Sequence, residues 1–295
     1  PLRWTGYTGG GFSRISVNPS LSIIYKLNYA WRFTAHASYK ERYGEMTDLY
    51  DRPYQTDYRN SVWNCGILPV YRQQLYSVYG EYKNTAREFF ATVNLTHNRE
   101  WYNRIYEQRI ENGQVQRVSL PLSNHGSGYT VKSTLSKGFY ELGLKTSFLV
   151  LLNISKAEQI SGGQRLPYQY RLMRLEPKVI WTPNRHWETS YQTDIRYGGN
   201  KIGERTRLAP LWNVTQQVQL SYIFSPIEAS LSVDHYHNDV NEDQSVNAVF
   251  ADFSVSWKSG RWQITTTATN LFDKRTYAYT QYASLESYTS WVRIL

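Results

Sequence analysis

His235 and His237 stand two residues apart, a spacing that puts both imidazoles on one face of a strand and suits a transition metal. No third ligand accompanies them, and the pair also reads as the polar end of a strand, beside Asn238 and Asp239. Glu45, Asp48 and Asp51 offer oxygen ligands, at a spacing that fits no calcium-loop motif. Asp194 and Asp234 lack the partner arrangement of a glycan hydrolase. Ser, His and Asp all occur, but no G-x-S-x-G elbow, P-loop or H-E-x-x-H does. Gly9-Gly10-Gly11 and Gly198-Gly199 lack the strand-to-helix setting of a phosphate cradle and read as flexible turns. No catalytic or metal-ligating residue is therefore assigned, cofactor-binding residues are left open, no cofactor is expected, and the chain is not expected to be an enzyme.

The elements that would carry these residues are two-faced. From Tyr140 to Ile154, one face holds Tyr140, Leu142, Leu144, Phe148, Val150, Leu152 and Ile154, and the other Glu141, Gly143, Lys145, Ser147 and Asn153. Successive strand side chains point to opposite faces, so one side is apolar and the other largely polar. Trp187, Thr189, Tyr191, Thr193, Ile195 and Tyr197 oppose Glu188, Ser190, Gln192, Asp194 and Arg196. A third copy sets Trp212, Val214, Val218, Leu220, Tyr222 and Phe224 against Asn213, Thr215, Gln217, Gln219 and Ser221, with Gln216 the exception.

A soluble sandwich alternates too; the turns point elsewhere. Short links at Asn28–Trp31, Lys83–Arg87, Ser136–Phe139, Pro183–His186, Ser225–Ile227 and Lys258–Arg261 have Trp31, Phe33, Phe89, Phe90, Phe139, Tyr140, Trp181, Trp187, Phe224, Trp257 and Trp262 beside them. Rings with an apolar body and a polar edge gather at a lipid–water boundary, so this repetition reads as the girdle of a barrel in a bilayer. The expected fold is all-β: an antiparallel transmembrane β-barrel with short periplasmic turns and long extracellular loops.

Among 295 residues are 26 Tyr, 10 Trp and 10 Phe, more aromatics than a soluble core requires. Mean hydropathy is negative, and the longest strongly apolar run, Phe148 to Leu152, is far below the roughly 20 residues of a membrane helix. Cys65 is the one cysteine, so no internal disulfide forms. The formal charge of +9 is scattered rather than clustered, and no nucleic-acid motif occurs. The expected partners are outer-membrane lipid and lipopolysaccharide, attracted by simple charge, and not nucleic acid.

Strands are expected near 10–28, 32–43, 74–84, 88–106, 127–137, 140–155, 167–181, 187–198, 210–224, 227–238, 246–257, 261–272 and 287–295, about thirteen in all. Longer connections are expected at 44–73, 107–126, 159–166, 199–209, 239–245 and 273–286. Pro177 removes a ladder donor inside the strand Met173, Leu175, Val179, Trp181, which predicts a bulge or interruption there. Single-chain bacterial barrels close with an even count. Together with the absence of a signal peptide before Pro1 and of a terminal aromatic at Leu295, the odd count leads us to expect that residues 1–295 are one partial barrel domain, without a plug or a final strand end. Thr34, His36, Lys40, Lys145, Gln192, Asp194, Arg196 and Gln217 are expected to line the lumen.

The stretch Thr269-Asn270-Leu271-Phe272-Asp273-Lys274-Arg275-Thr276-Tyr277 resembles the signature near the end of TonB-dependent receptors. Pro19–Leu27 followed by Trp31-Arg32, and Asp234–Asn238, resemble the Bacteroidota branch of that family. The resemblance covers essentially the whole chain and implies the C-terminal half to two-thirds of a 22-stranded barrel. It further implies a Gram-negative outer-membrane importer of a scarce nutrient such as a siderophore, glycan or peptide. An N-terminal plug of the same protein, which contacts the TonB complex, is implied as a partner outside these residues. A plugless pore or structural adhesin is the competing reading, and a secreted all-β glycan hydrolase a third.

Overall fold

A computed structural model of the chain describes residues 2–5, 11–58, 60–111, 114–203, 206–207, 209–241, 243–274, 276–283 and 286–293. Strands β1 (Leu2–Thr5) and β2 (Gly11–Arg14) pair with each other. Next come β3 (Ser20–Lys26) and β4 (Trp31–Tyr43), then the short β5 (Tyr54–Gln55) and β6 (Asn60–Trp63) within a long connection. β7 (Val70–Asn84) and β8 (Phe89–Tyr102) are followed by the hairpin of β9 (Ile105–Glu111) and β10 (Gln114–Leu120). β11 (Asn124–Phe139), β12 (Leu144–Ser161), β13 (Gln164–Asn184) and β14 (Trp187–Ile202) are the longest run. After β15 (Thr206–Arg207) come β16 (Leu211–Phe224), β17 (Ile227–Asp239), β18 (Ser245–Ser259) and β19 (Trp262–Ala268), and lastly β20 (Thr276–Ala283) with β21 (Glu286–Arg293).

The wall is an antiparallel ladder in the order β3, β4, β7, β8, β11, β12, β13, β14, β16, β17, β18, β19. The strand order returns β19 to β3, giving a barrel. Among the described residues, however, no register of paired residues joins these two strands, and every residue of both is exposed. The closure of the barrel thus runs between two strands whose described residues are all exposed.

Turn chemistry explains the short side. Asn28 Oδ1 accepts the backbone N–H groups of Ala30 and Trp31, both at 2.9 Å, and Asn184 Oδ1 those of His186 and Trp187 at 2.9 and 3.1 Å. Asn84 Oδ1 takes Arg87 N–H at 3.0 Å. An Asn side chain standing in for a backbone carbonyl lets the chain reverse within a few residues. The β11–β12 link lies further along than the sequence pattern placed it: Phe139 pairs with Leu144, and Tyr140 and Leu142 project from a 3-10 turn. Gly143 makes this possible at φ 60°, where a Cβ would collide with the Thr182 carbonyl oxygen.

Several expectations are corrected. The segment 10–28 holds two strands, β2 and β3. The thirteenth expected strand, 287–295, corresponds in its described part to β21, which pairs with β20 rather than with the wall. The expected long connection at 159–166 is a tight hairpin turn, because Gly162 and Gly163 both adopt positive φ, 57° and 75°, and allow β12 and β13 to run to its tip. Gly198 and Gly199 are paired strand residues of β14, opposite Leu172 and Arg171, not a turn; Gly9 and Gly10 lie outside the described residues. At Pro177 the β12 side of the ladder is intact, while pairing with β14 skips residues 176 and 177 and resumes in the same register. The register shift comes later, between Trp181 and Asn184.

The two faces differ as the alternation predicts. Val93, Leu95, Phe148, Leu152, Ile154, Trp181, Trp187, Val218, Phe253 and Trp257 are exposed on the outside of the barrel. Their rings join across strands near the short turns: Trp31 lies 4.8 Å from Tyr82, Tyr82 5.7 Å from Phe89, and Trp187 4.6 Å from Tyr222. The polar face turns inward.

Candidate functional site

The inward face is richest in charge where β13 and β14 run side by side. Arg174 and Arg196 are direct cross-strand partners. Asp194 sits two residues before Arg196 on the same face, so both guanidinium groups reach it. Arg174 donates from Nε and Nη2 to Asp194 Oδ1 and Oδ2 at 3.0 and 2.9 Å. Arg196 donates to Oδ2 from Nε and Nη2 at 3.0 and 2.6 Å. Glu176 Oε1 lies 2.6 Å from Arg174 Nε. Two cations and two carboxylates cancel, and the planar forks keep the side chains in fixed orientation.

This network borders a lumenal recess of about 520 Å³ shared with Tyr170, Leu172, Asn213 and Thr215. Its far side is the β20–β21 hairpin, which contributes Tyr277 and Thr280. Asn238, 3% exposed, donates Nδ2 to the Ala278 carbonyl at 3.2 Å, and the Tyr236 and Tyr277 rings meet edge-on at 5.1 Å. The hairpin thus packs on the inner face of β17. Arg, Asp, Asn, Thr and Tyr groups around one water-accessible recess can hydrogen-bond a polar solute.

A second cavity, of about 690 Å³, lies at the long-loop end between β9, β10 and the upper parts of β8, β11, β12 and β13. Arg117 and Arg104 stack over the Tyr106 ring at 3.7 and 4.9 Å, and Arg104 Nη1 bonds Asp48 Oδ1 at 2.8 Å. Asp48 is thus an ion-pair partner of an arginine. The Arg109 guanidinium, bonded to Glu107 at 2.7 and 2.9 Å, holds that buried carboxyl below its ordinary value in spite of burial. On the inner face below, Glu100 accepts from Tyr71, Gln73, Asn98 and Tyr102 at 3.1, 3.1, 3.0 and 2.8 Å.

No family model matches the sequence, and no curated protein matches it. Among solved structures, FpvA of P. aeruginosa, bound to a heterologous pyoverdine with iron, overlays with a TM-score of 0.49 at 10% identity, covering 93% of this chain. This chain spans 43% of FpvA's length. The translocator domain of the autotransporter NalP from Neisseria meningitidis overlays with a TM-score of 0.29 at 9% identity, over 82% of this chain and 83% of that one.

Of the residues expected in the lumen, only Asp194 and Arg196 meet in the recess. Gln192 pairs with Lys178 and Gln217, and Gln217 in turn with Asp234. Lys145 lies near the short turns with Ser147 and Lys178, while Thr34, His36 and Lys40 lie on β4. Arg174, which completes the site, lies between outward Met173 and Leu175 in the alternation; what the sequence lacks is the register placing it opposite Arg196. His235 and His237 fall on the outward face, opposite Val249 and Asn247. Their Nδ1 atoms lie 3.2 Å from Gln216 Oε1 and 2.8 Å from Asn247 Oδ1.

Proposed function

We propose that the chain forms part of the wall of a TonB-dependent outer-membrane importer of a scarce nutrient, in a transport rather than a catalytic role. The observation that carries this reading is the sorting of faces. Large apolar side chains stand exposed on the outside, with rings in contact beside the short turns, while the charged network lies within. Water gives an exposed apolar sheath no advantage, whereas a bilayer does. The terminal signature at 269–277 supports the receptor family, whose plug and TonB contact belong to the same proposal. In the test, the full-length protein in mild detergent is run on a gel with and without boiling. Faster migration unheated is expected, and identical mobility would overturn the barrel reading. Uptake of a labelled cargo that does not depend on TonB would overturn the importer reading and favour a passive pore.

A further inference from the structure

On the outward face, one row of cross-strand partners runs over five neighbouring strands: Arg99 on β8, Ser127 on β11, Lys156 on β12, Gln169 on β13 and Lys201 on β14. Arg171 stands in the row beside it, next to Ile154. Arg99, Lys156 and Arg171 are exposed, and the side chains of Arg99, Lys156, Lys201 and Arg171 have no hydrogen-bond or ion-pair partner among the described residues. Every residue between the three cations is uncharged. A shallow depression of about 270 Å³ lies along the row, bordered by Ser127, Lys156, Gln169 and Lys201. The carboxylate there, Glu158, is bonded to Arg165 at 3.0 Å and lies 3.9 Å from His125.

Height decides what these cations meet. Phe89 and Arg99 are ten residues apart on β8, as are Trp187 and Tyr197 on β14. At a rise of about 3.3 Å per residue and a tilt of about 40°, that is about 25 Å, the height of an apolar band. At the upper end of that span a second set of rings gathers: His97 stacks between Tyr76 at 6.4 Å and Tyr129 at 4.3 Å, and Tyr197 lies 4.7 Å from Trp212. The cations begin where these rings end. Because the strands tilt, the row climbs from Arg99 towards Lys201 through the layer where lipid headgroups lie. Below the Tyr76–His97–Tyr129 stack, small residues Ala35 and Ala37 leave an apolar groove of about 570 Å³ with Val78, Leu95 and Val131.

We propose that this row is a binding strip for the phosphate headgroup of an anionic membrane lipid in the leaflet at the long-loop side, with an acyl chain lying in the groove beneath the ring stack. Three cations whose side chains have no partner among the described residues stand at headgroup height and complement phosphate, and the groove complements hydrocarbon. The inference rests on the bilayer reading above. The test uses the full-length protein in nanodiscs of phosphatidylcholine doped with phosphatidylglycerol of the same chains, with co-purifying lipid counted by native mass spectrometry. Phosphatidylglycerol is expected to be retained over phosphatidylcholine. The triple variant Arg99→Gln/Lys156→Gln/Lys201→Gln should lower that retention at least five-fold, while the lumen-facing triple Lys132→Gln/Lys145→Gln/Lys178→Gln leaves it unchanged. Equal retention of the two lipids, equal loss in the two triples, or displacement by inorganic phosphate alone would each overturn the strip. Should the first triple fail to fold, a salt titration of the unmodified protein decides: retention that does not fall with ionic strength refutes a charge-held headgroup. Failure of the protein to enter nanodiscs at all would instead refute the bilayer reading.

Discussion

Arg174 grips Asp194 through two parallel hydrogen bonds, at 3.0 and 2.9 Å, across the ladder between β13 and β14, and Arg196 closes on the same carboxylate from its own strand. One anion thus keeps two guanidinium groups together that would otherwise repel. Asp194→Asn is expected to lower stability by about 1–2 kcal/mol, since the side chains are partly exposed and screened. Asp194→Asn/Arg196→Gln should recover part of that loss. The urea midpoint of the refolded protein measures both.

The outward and inward faces of β12 make opposite demands. Val150 pairs with Ser133 and Leu175 on the outward side, and Lys145 faces inward near the short turns. Val150→Arg is expected to block membrane assembly, with about 2–4 kcal/mol lost at the bilayer midplane. Lys145→Ala should assemble normally. Fractionation of cells expressing each variant reads the outcome, and the reverse order would show that the faces are inverted.

Gly143 closes the β11–β12 turn in a left-handed conformation against the Thr182 carbonyl. Gly143→Ala adds a methyl group where backbone already stands. A loss of roughly 1–3 kcal/mol is expected, seen as reduced folding yield and a lower denaturation midpoint.

Glu107 lies in the loop hairpin, 5% exposed, with its Oε1 accepting the Gly163 backbone N–H at 3.0 Å. Its carboxyl value is lowered in the fold by the hydrogen bond from Arg109. A depressed carboxylate stabilises the folded loop above the unfolded value of 4.5 and loses that contribution as pH falls through the lower folded value. The amide protection factor of Gly163 should therefore drop as the pH is taken below 4.5. Glu107→Gln is expected to remove the pH dependence and to be less protected at neutral pH.

The alternation of apolar and polar residues determined by itself that this chain makes a two-faced antiparallel sheet, because strand side chains must point to alternate sides whatever lies around them. The aromatic residues beside Asn28, Asn84 and Asn184 likewise marked the short turns, since an Asx closure is a local interaction. Local patterning could not say which residues of different strands stand opposite one another. Only register put Arg174 beside Arg196 and aligned Arg99, Lys156 and Lys201 in one row. Only the packing of the last hairpin against Asn238 and Tyr236 made β20, which lies in an expected connection, the far side of a lumenal recess. Those outcomes depend on hydrogen-bond pairing and contact between segments far apart in the chain, and that information resides in the assembled sheet.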